Sequence, residues 1–208
     1  GAGKSTMMRM MVGVDQPTKG EITWNNKSIY ILDEKYRGLV GYMPQEFSVH
    51  PSFTAKEFLE YIGALKGLTK KDLKRKIPEV LSFVNLSESE NKKVSTFSGG
   101  MKRRIGIAQA IINDPQILIL DEPTAGLDPI ERIRFSNIIS DMSNDKIVIF
   151  STHIISDIEA ITNSIIILNE GEIKAKTNVN NLVETMKGKV FEIYIENKYL
   201  PNLKEKVH

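Results

Sequence analysis

The sequence has no cysteine, so neither a disulfide framework nor a thiolate metal site is available to it. It also lacks any apolar run near the ~20 residues that a membrane-spanning helix needs. Runs such as "ILIL" (117–120) and "SIIIL" (164–168) are far shorter. No signal-peptide pattern opens the chain, and its first residue is Gly1 rather than methionine. The formal net charge is only +2, too small to point to nucleic acid as a partner. What is present is an ordinary globular composition. The chain has 208 residues, of which 41% are hydrophobic and 26% charged. That suffices for a buried core in one or two domains.

The opening "GAGKST" resembles the end of a phosphate-binding loop, G-x-x-x-x-G-K-[ST], whose Lys and Ser open a helix. The methionine-rich stretch that follows, with Met7, Met8, Met10 and Met11, suits a helix packed into a core rather than an exposed binding surface. "EITWNN" (21–26) reads as an outer strand with a polar turn, and "RGLVGYMPQ" (37–45) as a buried strand ending in a loop. Residues 51–95 are helical in pattern. Thr54 and Glu57 form a capping box ahead of Phe58, Tyr61, Ile62 and Leu65 on one face, and Gly67 ends that helix. Thr69 and Asp72 open a second helix, which Pro78 is expected to kink or break. Its basic run "KKDLKRK" (70–76) reads as a solvated face; proximity to anionic lipid is the sharper alternative.

From residue 98 strands and helices alternate. Met101, Ile105, Ala108 and Ile112 fall on one helical face that Asp114-Pro115 stops. "ILIL" is apolar throughout, as a parallel strand buried on both faces must be. Asp128-Pro129 opens a further helix. "KIVIF" (146–150) and "SIIIL" read as two more buried strands, and 190–200 as an alternating one. The alternation predicts an α/β fold with a mainly parallel sheet and an inserted helical unit.

Chemistry-bearing residues gather at predicted strand ends, where ligands of open α/β sheets bind. Lys4 and Ser5 suit phosphate and Mg²⁺, although "GKS" alone also describes a glycine-rich turn. Asp121 and Glu122 follow four apolar residues directly. One carboxylate there suits a metal and the second a water; a helix-capping acid is the plainer reading, and Pro123 speaks against it. Ser98-Gly99-Gly100 precede an amphipathic helix and make a second anion site. Two separate anion sites on one chain suggest that two chains share each nucleotide. Gln45 and His153 also lie past strands, and His153 taken alone reads as a hydrogen-bonded loop residue.

In order along positions 1 to about 175, these segments resemble the ATP-binding domain of ABC transporters. "GAGKST" is similar to the Walker A loop, "YMPQ" to the Q-loop, "FSGGM" to the signature, "ILILDEP" to Walker B, "AGLD" to the D-loop and "STHI" to the H-loop. Phe97 and Met101 replace the Leu and Gln usual in the signature. The resemblance implies a P-loop NTPase fold and ATP hydrolysis with Mg²⁺ at a head-to-tail dimer interface. It places Gly1, Ala2, Gly3, Lys4, Ser5, Thr6, Ser98, Gly99, Gly100 and Asp128 on the nucleotide, and Ser5, Gln45 and Asp121 around Mg²⁺. Glu122 becomes the general base, and His153 and Gln45 join it in the catalytic set.

The same resemblance implies an ATP-binding domain over 1–175, a helical subdomain over about 51–112 and a C-terminal extension over 176–208. Its implied partners are a second ATP-binding domain, homo- or heterodimeric, and a membrane-spanning permease subunit, with no nucleic acid. Its implied location is the cytoplasmic face of the cell membrane. "SGGMKRR" looks like the branch serving exporters of drugs, peptides or antibiotics. It further implies that the chain starts inside its phosphate loop, that a strand belongs between 146–150 and 164–168, and that residues 1–208 alone lack ATPase activity. The rival expectation is a soluble ABC-type ATPase, such as a cluster-assembly ATPase. A tandem translation factor would carry each motif twice, and a DNA-repair ATPase would show sustained heptads.

Overall fold

The computed structural model describes residues 2–46, 49–162 and 164–187. Gly1 and the segment 190–200 lie outside them. Helix α1 (Lys4–Met11) begins at Gly3 and is followed by a short hairpin, β1 (Thr23–Trp24) and β2 (Lys27–Ser28). The hairpin is smaller than the outer strand expected over 21–26. Its turn residues Asn25 and Asn26 both take positive φ, the geometry that a two-residue hairpin loop demands. Two short helices, α2 (Ile29–Leu32) and α3 (Glu34–Leu39), lead into strand β3 (Val40–Met43). Residues 37–39, expected in the strand, therefore end a helix instead.

Helices α4 (Ala55–Leu65) and α5 (Lys70–Phe83) follow, each opened by a reciprocal capping box, Thr54 with Glu57 and Thr69 with Asp72. Helix α5 runs unbroken through Pro78, so of the expected kink or break the break does not occur. Pro78 is exposed, so the carbonyl it leaves unpaired meets water. Leu73, Ile77, Val80 and Leu81 meanwhile anchor the other face. Helix α6 (Gly99–Ile111) packs on both α4 and α5 and lies against β3. The contact with β3 is backbone to backbone: a Cβ on Gly41 would stand 2.2 Å from the Ala110 carbonyl oxygen.

Strand β4 (Ile117–Leu120), helix α7 (Pro129–Ser143), strand β5 (Ile147–Phe150) and helix α8 (Ile155–Ile161) complete the parallel sheet, in the order β3-β4-β5. Period-two alternation divides β4 between two cores. Leu118 and Leu120 join the larger core under α4–α7, whereas Ile117 and Ile119 join Met8, Val12 and Tyr36 on the other face.

The strand expectations over 146–150 and 164–168 need correction. Strand β5 is only partly buried, and Ile147 is exposed, because its outer edge has no paired strand among the described residues. Strand β6 (Ile165–Asn169) pairs antiparallel with β7 (Glu172–Thr177) instead of joining the parallel sheet. Glu170 and Gly171 both take positive φ, so a tight turn folds the chain straight back. A cleft of about 400 Å³ separates β5 from β6, lined by Met7, Met11, Val148, Phe150 and Ile165. Helix α9 (Val179–Met186) follows β7.

Lys66, just past α4, ties the layers together. Its Nζ donates to Asn113 Oδ1 at 2.7 Å, and Asn113 Nδ2 donates to the Gly38 carbonyl at 3.0 Å. Burial pulls the Lys66 ammonium down to about 8. A cation with a depressed folded-state pKa penalises the fold fully below about pH 8, and the penalty disappears as pH rises toward its ordinary 10.5. Each pKa unit is worth ~1.4 kcal/mol, and the lost Asn113 bond costs ~1 kcal/mol. Lys66→Met is therefore expected to stabilise the protein by about 2 kcal/mol at pH 7, with the gain shrinking by pH 9.5. Urea unfolding at the two pH values checks this, and a variant less stable at pH 7 contradicts it.

Candidate functional site

The carboxyl ends of β3, β4 and β5 lie side by side, because Met43, Leu120 and Phe150 are in register. The residues after these strands therefore converge. Asp121 and Glu122 follow β4, Ser151 to His153 follow β5, and Gln45 stands two residues beyond β3. Lys4 opens α1 beside them.

The contacts are specific. Lys4 Nζ lies 3.6 Å from Glu122 Oε1, and His153 Nδ1 lies 2.6 Å from Glu122 Oε2. A carboxylate only accepts, so Nδ1 is the protonated nitrogen in this arrangement. The Ser151 hydroxyl donates to Asp121 Oδ1 at 2.6 Å and accepts from the Glu122 N–H at 2.9 Å. Asp121 and Glu122 are both buried. Glu122 takes a left-handed φ of 49°, a conformation that costs a non-glycine residue ~1–2 kcal/mol. Burial raises the Tyr42 phenol above its ordinary range, and the nearby Asp121 carboxylate adds to the rise.

Among the described residues, no group of three or more carboxylates and imidazoles gathers as a metal centre. The oxygen donors named for Mg²⁺, from Ser5, Gln45 and Asp121, include one carboxylate. That fits a small hard cation held partly by substrate phosphates and water.

Helix α6 supplies the second candidate anion site. Ser98 is its N-cap, and the Ser98 hydroxyl accepts from Met101 N–H at 3.2 Å. Phe97, the substituted signature position, is buried in the larger core, and Met101 packs against it. A Cβ on Gly100 would stand 2.8 Å from Glu131 Oε2, and Glu131 also pairs with Arg104 and Arg134. Asp128 caps α7 by accepting from Glu131 N–H at 2.9 Å. Among the described residues, no hydrogen bond or ion pair joins Ser98, Gly99, Gly100 or Asp128 to the Lys4–Glu122–His153 group. Ala2 and Gly3 pack instead on the turn after β6, where Gly171 N–H donates to the Ala2 carbonyl at 3.3 Å. Thr6 is exposed.

Several contributors carried no functional reading in the sequence. Arg103, one turn into α6, donates to the Gln45 carbonyl at 2.6 Å, linking the signature helix to the loop after β3. Burial lowers its guanidinium, while Glu122 and Glu46 push it back up. Ser151 was detectable in principle: in adjacent parallel strands, the first residue past each end becomes a neighbour. Thr124 and Asp157 offered no such signal.

The chain is similar to known proteins in sequence and in fold. Residues 1–125 match the family described as ABC transporter. The chain is 38% identical over 208 residues to an uncharacterized ABC transporter ATP-binding protein, YxlF, of Bacillus subtilis, covering 99% of this chain and 68% of the relative. It is 35% identical to the Nod factor export ATP-binding protein I of Rhizobium sp., covering 93% of this chain and 64% of that one. It thus spans about two thirds of the length of these relatives. A dimeric post-hydrolysis structure of the ATP-binding cassette MJ0796, bound to ADP and Pi, superposes with a TM-score of 0.76 at 28% identity, over 86% of this chain and 81% of that one. With Lys4, Gln45, Ser98 and Asp121 all inside the matched residues, the chain belongs to the ABC transporter family as a nucleotide-binding domain of ATPase type.

Proposed function

We propose that this domain hydrolyses Mg-ATP within a head-to-tail dimer and thereby drives export through a membrane-spanning permease at the cytoplasmic face of the cell membrane. The observation that carries the hydrolytic part is the contact of one buried carboxylate, Glu122, with both Lys4 and His153. Lys4 and the amides of residues 2–6 hold phosphate, and the ammonium exchanges Glu122 for phosphate oxygen when nucleotide arrives. Ser5, Gln45 and Asp121 would hold Mg²⁺, which supplies charge neutralisation on the phosphates when bound. Glu122 accepts the proton of the attacking water, and His153 orients Glu122 and the γ-phosphate. Ser98, Gly99 and Gly100 reach the nucleotide of the partner domain, and Asp128 lies at that junction. The dimeric MJ0796 cassette supports the two-domain arrangement, and the Nod factor relative supports export.

A groove beside α4 supports a permease contact. Val49, His50, Phe53, Tyr61 and Ile62 line it, the Phe53 and Tyr61 rings lie 5.8 Å apart, and Tyr61 is half exposed. Exposed aromatics around a groove suit a partner's apolar segment. Co-expression of the full-length protein with a multi-span membrane protein found encoded beside it tests the reading. The wild type is expected in the membrane fraction. Tyr61→Asp is expected to release it while ATPase activity stays within about twofold, since rim charges act on docking rather than on distant chemistry. A wild type that hydrolyses ATP but stays in the supernatant overturns the transporter reading in favour of a soluble ATPase.

A further inference from the structure

Beyond the residues that face nucleotide, one buried side chain joins the two loops that carry the candidate base and its histidine. Asp157, in the first turn of α8, is 3% exposed. Its Oδ2 accepts from Thr124 Oγ1 at 2.5 Å and from Thr152 Oγ1 at 3.1 Å. Thr124 is itself 1% exposed and lies two residues after Glu122. Thr152 precedes His153 directly, and its hydroxyl also accepts from Ile154 N–H at 3.0 Å. Both hydroxyls converge on one oxygen, so a shift of either loop breaks a hydrogen bond to a buried carboxylate. Ser151 makes the matching link from the other side, between Asp121 and the Glu122 amide. Glu122 sits between these two anchors in a left-handed conformation, which persists only where its surroundings over-determine it.

We infer that Asp157 is a positioning residue for ATP hydrolysis, holding the Thr124 and Thr152 hydroxyls on one carboxylate oxygen so that Glu122 and His153 keep their 2.6 Å contact. This inference rests on the proposed roles of Glu122 and His153. The function assigned to Asp157 is that of a shared acceptor, not of a charge. An amide oxygen at the same place serves equally, whereas a methyl group does not. A misplacement of about 1 Å at a reacting group is enough to cost ~10²-fold in rate.

The test uses the full-length protein and reads Mg-ATP turnover, nucleotide affinity and thermal stability together. Asp157→Ala and Thr124→Val are each expected to lower kcat about tenfold or more, with ATP affinity within about threefold. Asp157→Asn is expected to recover turnover to within about threefold of wild type, because its oxygen accepts both hydroxyls. The Thr124→Val, Asp157→Ala double variant is expected to be no slower than Asp157→Ala, since both remove one linkage. Turnover within about twofold of wild type in folded Asp157→Ala or Thr124→Val overturns the inference. So does an Asp157→Asn as slow as Asp157→Ala, or a parallel loss of affinity and kcat with stability. If Asp157→Ala does not fold, Thr124→Val and Asp157→Asn decide alone. Glu122→Gln, run alongside, separates the two claims. Loss of turnover there with none in the Asp157 set rejects the positioning role only, whereas normal turnover there rejects the base assignment beneath it.

Discussion

Glu122→Gln is expected to bind Mg-ATP at least as tightly as the wild type and to lose turnover by ~10²–10⁴-fold, the range for removal of a general base. The substitution preserves size, so the buried pocket and the left-handed backbone at this position are kept. His153 Nδ1 can still donate to the side-chain oxygen it now meets at 2.6 Å. What disappears is the proton acceptor and the negative charge that Lys4 faces at 3.6 Å. Lys4 is then free for phosphate, so binding is not weakened. A domain that binds ATP but cannot cleave it accumulates in the closed form, and gel filtration with ATP should show a stable dimer. Single-turnover kinetics with a fluorescent nucleotide separate binding from chemistry. Turnover near the wild-type value would refute the assignment.

Ser98→Arg is expected to leave nucleotide binding to the single domain nearly intact and to abolish ATP-dependent dimerisation. Ser98 opens α6 next to two glycines, and Gly99 has no neighbour within 4 Å of where a Cβ would stand. The space at Gly99 is open to a group from outside the chain, and an arginine at Ser98 would fill it with a bulky cation. The structure also gives Ser98 a local role as N-cap. Its loss costs ~1 kcal/mol, against ~5–15 kcal/mol for a whole domain, so the fold survives. Ser98→Ala loses the same cap without adding bulk and should still dimerise. A mixed dimer pairing Lys4→Ala with Ser98→Arg concentrates both lesions in one composite site and leaves the other whole. It should close around one nucleotide. If no mixed dimer closes while Ser98→Ala does, the head-to-tail sharing is wrong.

The elements legible in the sequence are those whose causes are local. The capping box of Thr54 and Glu57 is closed by residues three apart, and Asp128-Pro129 sets its own helix start. Strand 117–120 is apolar at every position because helices cover both faces. Pro78 does not break its helix for a physical reason: a proline's local cost is outweighed when the opposite face buries four aliphatic residues. The stretch 164–177 misled in another way. Its apolar run looks the same whether it enters a parallel sheet or turns back on itself. The deciding feature was the Glu170-Gly171 turn, which has both residues at positive φ.

By itself the sequence determined the residue types and their order: Lys4, Gln45, Ser98, Asp121, Glu122 and His153 at predicted loop or strand boundaries, within a chain of α/β pattern. It could not determine which of these residues touch. That Lys4 and His153 meet on Glu122, that Ser151 joins Asp121 to the Glu122 amide, and that Asp157 holds Thr124 and Thr152 are consequences of parallel register between β4 and β5 and of the packing of α7 on α8. Contacts between residues about thirty positions apart exist only after those strands pair. Hydrogen bonds are decided over tenths of an ångström, a precision that only the assembled sheet imposes on its loops.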